Sequence, residues 1–157
     1  MLLVRDILAD KGGELHTVPA DAYLSDCIVT MADKGLGSLP VMERGKLVGL
    51  LTFREVTQVL ASTDRSIQPA RLACVNGLRA RNVMNARPVT TTPDVPLDEL
   101  RALMLTHHQR YMPVLDRGGL VGILSFHDIA RTVYENTCFE NRMLKAYIRE
   151  WPLPEAA

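Results

Sequence analysis

The sequence has no surplus of charge of either sign, and its cysteines do not form a disulfide or metal-binding pattern. Eighteen basic side chains balance eighteen acidic ones, so no overall field attracts the chain to nucleic acid or to an anionic membrane. The three cysteines, Cys27, Cys74 and Cys138, are odd in number and widely spaced, which suits neither disulfides nor a zinc site. We therefore expect a protein of the reducing cytoplasm, with no nucleic acid as a partner.

A long apolar run is also lacking. No stretch approaches the roughly 20 apolar residues of a membrane span, and residues 1–6 place charge where a secretory signal needs its apolar centre. We expect no membrane partner and a chain that stays where it is made. At 157 residues, 47% of them hydrophobic, the chain has the composition of a globular protein with one compact body or two very small ones.

What the sequence does contain is an internal repeat. Residues 16–56 superpose on residues 89–129 without a gap, at an offset of 73 positions. Nine of the nineteen positions from Ser38 to Val56 are identical to their partners, which shared composition does not explain. A repeat of this kind indicates duplicated structural units, so we expect the function to lie between them.

We expect the same order of elements in each copy, β-α-β-β-α, after a short helical lead-in. The lead-ins are residues 4–8 and 80–84, and the first strands are residues 16–18 and 89–91, closed by turns at Pro19 and Pro93. Asp21 and Asp94 are plausible N-caps for the next helices, whose apolar residues recur at helical spacing. These helices should end near residues 35–37 and 108–110.

Two strands joined by a tight glycine turn complete each copy, a pattern typical of a hairpin. The strands cover residues 38–42 and 47–51 in the first copy and residues 111–115 and 120–124 in the second. One such unit is too small to bury its sheet well, so we expect the two copies to pack sheet to sheet.

Two segments fall outside the repeat. Residues 61–69 suggest a polar connection, and residues 70–78 a further helical turn. Residues 127–151 are helical in composition, with these candidate buried positions: Ile129, Val133, Tyr134, Met143, Tyr147 and Ile148. Exposed apolar surface on such an extension is typical of an oligomer contact.

Two tandem β-α-β-β-α units, each ending in an aliphatic-Gly-aliphatic-aliphatic-[Ser/Thr]-x-x-[Asp/Glu] corner, resemble a pair of CBS domains, or Bateman module. The resemblance runs from about Val4 to Arg131, and the chain's last helix resembles that of stand-alone bacterial proteins of this type. It implies an α+β fold of two tandem CBS units, packed as a pseudo-twofold pair, plus a C-terminal helix. The expected boundaries are 4–61 for the first CBS domain, 62–79 for a linker, 80–135 for the second domain and 136–157 for a C-terminal helical extension.

The resemblance also implies clefts between the units that bind adenosine-containing molecules such as AMP, ADP, ATP, NAD or S-adenosylmethionine. Modules of this family usually dimerise into a disc of four units. The partners we expect are therefore an adenine nucleotide, a second copy of the chain in a homodimer, and a regulated protein that the sequence does not name.

The strand-to-helix corner suits a nucleotide. It offers unpaired backbone N–H groups and the positive end of a helix dipole at one point. In the second copy, the hydroxyl of Ser125 could reach a phosphate and Asp128, one turn on, could accept both ribose hydroxyls. These two residues match the family's [Ser/Thr]-x-x-Asp motif.

The same pattern has a purely structural interpretation, the capping box, in which the hydroxyl and the acid satisfy each other's backbone N–H groups. Thr52 and Glu55 fit it fully, because glutamate is the preferred acid, whereas Ser125 and Asp128 fit it less well. We therefore favour Asp128 as a ribose ligand and Glu55 as a cap. Glu55 also departs from the family's aspartate, so its site is the weaker of the two.

By resemblance, both copies contribute to the walls of each cleft. The site closed by Asp128 and Ser125 is expected to use Lys11, His16, Thr17, Gly37, Ser38, Leu39 and Pro40. The second, weaker site, at Thr52 and Glu55, is expected to use Thr90, Tyr111, Met112 and Pro113. Arg110 precedes a cleft-lining strand and could offer charge to a phosphate, whereas Arg54 and His127 are more simply solvated surface charges.

The sequence contains no nucleophile with a base, no P-loop and no paired acids, so we do not expect an enzyme. The neighbours His107 and His108 point in different directions on a helix, and no further ligand completes a metal site. We expect a non-enzymatic module that senses an adenine nucleotide (AMP, ADP, ATP or NAD) and regulates a partner. The alternative is an oligomerisation or interaction protein with vestigial clefts.

Overall fold

The computed structural model describes residues 1–62 and 75–150 of the chain. The helices are α1 (Val4–Lys11), α2 (Leu24–Lys34), α3 (Phe53–Ser62), α4 (Ala80–Val83), α5 (Leu97–Thr106) and α6 (Phe126–Glu150). The strands are β1 (Val18–Pro19), β2 (Ser38–Glu43), β3 (Lys46–Thr52), β4 (Tyr111–Asp116) and β5 (Gly119–Ser125). Cys74 and most of the expected connection between the copies lie outside the described residues.

The sheets follow the predicted repeat. Strand β1 pairs parallel with β2, which pairs antiparallel with β3, and β4 pairs antiparallel with β5. Both hairpins turn over two residues with positive φ, at Arg44 and Gly45 in the first copy and at Arg117 and Gly118 in the second. Such turns match the twist of the strands that they join. The predicted α+β fold, with two tandem units and a C-terminal helix, is confirmed.

Each lead-in helix packs into the core of the other copy, which the sequence analysis did not foresee. The first core combines residues of α2, β2 and β3 with Ala80 of α4, and the second combines residues of α5, β4 and β5 with Val4 and Ile7 of α1. Two glycines at equivalent positions of the repeat, Gly49 and Gly122, leave room for the lead-in helix that comes from the other copy. A Cβ on Gly122 would lie 2.6 Å from Leu8 Cδ2, and a Cβ on Gly49 would lie 2.7 Å from Met84 Cγ.

The predicted N-caps are wrong for the same reason. Helices α2 and α5 begin at Leu24 and Leu97, whose N–H groups donate to the carbonyls of Leu78 (2.8 Å) and Leu2 (3.0 Å). These carbonyls lie two residues before the first residues of the exchanged lead-in helices, and each satisfies the first N–H group of α2 or α5 without a side chain. The Asp94 carboxylate forms an ion pair with Arg5 of α1 instead of capping α5.

The first strand of each copy is shorter than predicted. In the first copy only Val18–Pro19 forms a strand, and in the second Thr91 makes an isolated bridge to Val114. The backbone N–H and C=O of Val89 bond to the side chain of Gln109. Gln109 Oε1 accepts from Val89 N (2.9 Å) and Gln109 Nε2 donates to Val89 O (2.7 Å). A side chain thus replaces the strand neighbour that the pattern predicted.

Helix α6 extends well beyond the second unit. Ile129 is buried and Val133 packs at the edge of the second core. The other predicted buried positions are wrong for this chain, because the helix leaves the core before it reaches most of them: Tyr134, Met143, Tyr147 and Ile148 are all more than half exposed. None of the described helices has the length and apolar composition that a membrane span requires.

Candidate functional site

Two cavities lie at the junction of the units, one beside each strand-to-helix corner. The first cavity, of about 640 Å³, lies beside the corner of β5 and α6. The second cavity, of about 1020 Å³, lies beside the corner of β3 and α3. Residues from both copies line each of them, as the resemblance implied.

The corner at the first cavity is a complete capping box. Asp128 Oδ2 accepts from the backbone N–H and the hydroxyl of Ser125, both at 2.7 Å, and Asp128 N donates to Ser125 Oγ at 3.1 Å. The expectation that this pair would suit a capping box less well than Thr52 and Glu55 is therefore wrong. The aspartate side chain, although one methylene shorter than glutamate, thus reaches the backbone N–H three positions earlier.

Lys11 joins the corner from α1. Its Nζ donates to Asp128 Oδ2 at 2.9 Å and to the carbonyl of Ile123 at 2.8 Å. Burial by itself raises the pKa of Asp128, but the hydrogen bonds from Lys11 and Ser125 and the charge of Lys11 outweigh it, so that the pKa lies below its ordinary value. Asp128 is therefore held as a carboxylate, and all of its hydrogen bonds from the described residues fall on Oδ2.

The corner at the second cavity is built in the same way but has no lysine. The backbone N–H of Thr52 donates to Glu55 Oε2 at 2.8 Å, and the Thr52 hydroxyl donates to the same oxygen. Glu55 is thus a cap, as the sequence predicted. Helix α4, which takes the place of α1 in this copy, is only four residues long and ends before the position of Lys11.

The first cavity brings together six of the residues predicted for it: Lys11, His16, Gly37, Ser38, Ser125 and Arg110. Asp128 lies at the edge of this group and is only 7% exposed. The other three predicted residues do not line the cavity. Thr17 is exposed on the loop, Leu39 is fully buried in the first core, and Pro40 is buried in β2.

The second cavity is lined by three of its six predicted residues, Thr52, Glu55 and Tyr111. Met112 belongs to the second core, Pro113 is buried in β4, and Thr90 is half-buried outside the lining. Successive side chains of a strand face opposite sides of the sheet. The apolar residue that follows Ser38 or Tyr111 therefore faces the core.

Several residues that line the cavities were not predicted from the sequence. Leu8, Gly122 and Ile123 reach the first cavity because α1 packs against β5, and Asn85 reaches the second because its backbone pairs with Leu50 of β3. The repeated glycine of the Leu-Val-Gly sequence was the one available signal, since it marks a close approach by another segment. The pattern alone does not say which segment approaches.

Each cavity is lined by several basic side chains and one acidic one, Glu14 in the first and Glu55 in the second. The first is lined by Lys11 and Arg110, with His16 and His127 beside them. The second is lined by the following basic groups: Arg54, Arg110, His107 and His108. No group of three or more histidine, cysteine or acidic side chains in the described ranges is placed to hold a metal ion.

Comparison with known proteins identifies the family that has this architecture. A family model described as CBS domain matches residues 4–62 and 80–135. The chain is 27% identical over 117 residues to the CBS domain-containing protein YhcV of Bacillus subtilis (strain 168), covering 74% of this chain and 77% of that protein.

Solved structures share the fold. The CBS domain pair of protein MJ0100, in complex with 5′-methylthioadenosine and S-adenosyl-L-methionine, is similar with a TM-score of 0.72 at 23% identity, covering 87% of this chain and 98% of that one. CBSX2 in complex with AMP is similar with a TM-score of 0.71 at 20% identity, covering 87% of this chain and 99% of that one. Since the family model covers most of the sequence in two segments, the chain belongs to the CBS-domain family and carries two CBS domains in tandem.

Proposed function

We propose that this chain is a non-enzymatic sensor that binds an adenosine-containing nucleotide in the first cavity and passes the bound state to a partner protein. The observation that carries the proposal is the cavity itself. Its volume of about 640 Å³ falls in the range of small-molecule sites. It also lies beside a buried carboxylate that is held ionised by Lys11.

Each part of a nucleotide has a candidate partner in this cavity. The ribose hydroxyls would donate to Asp128 Oδ1, because the described protein donors occupy only Oδ2. The base would lie against Gly37 and Ser38, where the absence of a side chain on glycine permits close approach. The phosphate would face the start of α6, near His127 and Arg110.

The related structures support this ligand class. MJ0100 was solved with 5′-methylthioadenosine and S-adenosyl-L-methionine, and CBSX2 with AMP. All three ligands contain adenosine and differ in what is attached to its 5′ position. We propose AMP, ADP, ATP or NAD for this chain, since the basic side chains at the first cavity favour a phosphate.

The second cavity is proposed as a weaker site for the same ligand class. Both of the Thr52 donors fall on Glu55 Oε2, as at the first corner, but no lysine corresponds to Lys11. We further propose that the sensor acts as a cytoplasmic homodimer with domains at 4–61 and 80–135, a linker at 62–79 and a helical extension at 136–157.

A thermal-shift assay with AMP, ADP, ATP and NAD tests the proposal. A ligand at about 100 times its Kd adds about 2.7 kcal/mol to the stability of the folded state, so a binder should raise the melting temperature by several degrees. Asp128→Ala should abolish the larger part of this rise, whereas the matched Glu55→Ala, at the equivalent position, should leave it in place. The proposal fails if no nucleotide raises the melting temperature of the natural chain.

An interaction protein is the second candidate function, and α6 is the observation that favours it. Met143, Leu144 and Ile148 are each 57–70% exposed on the final turns of this helix. Truncation after Glu140 leaves the buried Ile129 and Thr132 in place and removes these side chains. If the truncated chain becomes monomeric in sedimentation but still binds nucleotide, the helix and the cavities serve separate roles.

A further inference from the structure

The two cavities share one wall. Arg110, Tyr111 and Phe126 line both of them. Phe126 N donates to Arg110 O at 2.9 Å, and Tyr111 lies directly opposite Ser125 in the β4–β5 pairing. The wall is therefore attached to the corner of the first cavity and also forms a side of the second.

Within this wall, the Tyr111 backbone is fixed but its side chain is not. The pairing with β5 holds the backbone, and its carbonyl accepts from Gln109 Nε2 at 2.8 Å. Among the described residues, none forms a hydrogen bond with the Tyr111 hydroxyl. Of the residues that the structure describes, those around the ring hold it by packing only, so a side-chain rotation can move it without disturbing the strand.

The ring lies directly on Gly37 of the first unit. A Cβ added to Gly37 would overlap the Tyr111 hydroxyl oxygen and fall 2.5 Å from Tyr111 Cζ, closer than unbonded carbons approach. Gly37 lines only the first cavity. The Tyr111 ring thus covers the glycine surface against which the base of the proposed ligand would lie.

We propose that Tyr111 couples the two cavities, because its ring and a ligand's base compete for the surface of Gly37. The inference rests on the proposed function. A base in the first cavity displaces the ring toward the second cavity, which loses room, so the coupling is negative. Linkage requires a ligand in the second cavity to weaken the first by the same factor, and such couplings are typically about 5-fold to 150-fold.

Substitution of Gly37 tests this directly, because Gly37→Ala displaces the ring without replacing any residue that lines the second cavity. The backbone of Gly37 does not adopt a positive φ, so alanine adds no backbone strain there and acts only through its contact with the Tyr111 ring. AMP binding is followed by NMR at the backbone amides of His127, which lines only the first cavity, and Arg54, which lines only the second. These two residues occupy equivalent positions of the repeat.

We expect Gly37→Ala to weaken AMP binding at the Arg54 amide at least about fivefold. The effect should persist with Tyr111→Phe, which keeps the ring, and vanish with Tyr111→Ala. Tyr111→Ala alone should make AMP binding at the His127 amide independent of binding at the Arg54 amide. This variant tests the coupling if Gly37→Ala does not fold.

The outcomes separate this inference from the function on which it rests. If the natural chain binds AMP but Gly37→Ala leaves the Arg54 titration unchanged, or weakens it equally in the Tyr111→Ala background, the coupling is refuted and the sensor stands. If AMP, ADP, ATP and NAD all fail to bind the natural chain, the sensor is refuted and the coupling falls with it.

Discussion

Replacing Lys11 by methionine should destabilise the protein in a pH-dependent way. The change removes two hydrogen bonds from a charged donor, to Asp128 Oδ2 (2.9 Å) and to the Ile123 carbonyl (2.8 Å). It leaves the carboxylate of Asp128, whose side chain is only 9% exposed, without a counter-charge. A buried charged group that loses its partner costs about 1–3 kcal/mol or more. The Lys11 side chain is 31% exposed, so water can replace part of the interaction, and we expect about 2 kcal/mol.

The direction of the pH dependence follows from the pKa of Asp128. That pKa is below its ordinary value in the folded chain, so its contribution to stability is fully present above the unfolded pKa of about 3.9 and is lost as the pH falls through the folded value. The Lys11→Met variant should therefore be less stable than the natural chain at pH 7. The difference should shrink as the pH falls, and it should be smallest below the lowered pKa of Asp128 in the natural chain, where this side chain is neutral in both proteins.

Thermal and urea unfolding followed by circular dichroism measure this difference. For a chain of this size, about 2 kcal/mol corresponds to a fall in melting temperature of about 4–8 °C. Lys34→Met is the matched control, since Lys34 is also the last residue of its helix but is exposed and has no such ion pair among the described residues. Equal melting temperatures for the two variants at pH 7, or a difference that does not narrow on acidification, would refute the reasoning.

Three further predictions test the packing. Gly122→Ala should cost about 1–3 kcal/mol in urea unfolding because its Cβ would overlap the α1 leucine; Gly119→Ala, which has room, should not, and equal losses would contradict the exchanged lead-in. Asp21→Ala should change the unfolding free energy by less than about 0.5 kcal/mol, since Asp21 caps no helix. A loss above about 1 kcal/mol, the usual effect of removing an N-cap, would show that Asp21 does cap α2. Burial and the charge of Asp26 raise the pKa of the Cys27 thiol, so mass spectrometry should find iodoacetamide on Cys138 long before Cys27 in the folded chain; faster labelling of Cys27 would show that its core opens.

The repeated elements were predictable because their signals are local. Alternation, glycine turns and helical spacing identify both hairpins and the helices α2 and α5 from neighbouring residues alone. The corner at Thr52 and Glu55 was also predictable, since a capping box is complete within four residues. Local chemistry thus determined the order of elements and the position of both corners.

What the sequence did not predict depends on contacts between distant residues. The carbonyl of Leu78 caps α2 from the far end of the connection, so the nearby Asp21 was a misleading signal. Lys11 was expected as a wall of the cleft, but its ion pair with Asp128 exists only because α1 crosses to the second copy. Likewise, nothing near Tyr111 in the sequence indicates that its ring lies on Gly37.

The crossing of the two lead-ins makes the halves of this protein inseparable. A chain severed between residues 62 and 75 would not release two independent bodies, because each fragment would carry away a helix that fills the interior of the other. Force applied at the N-terminus is likewise transmitted to the second unit, because backbone hydrogen bonds join residues 2–5 to residues 93–97. Anything attached ahead of Met1 would therefore pull first on residues 93–97, which lead into α5, in the unit that lies farther along the chain.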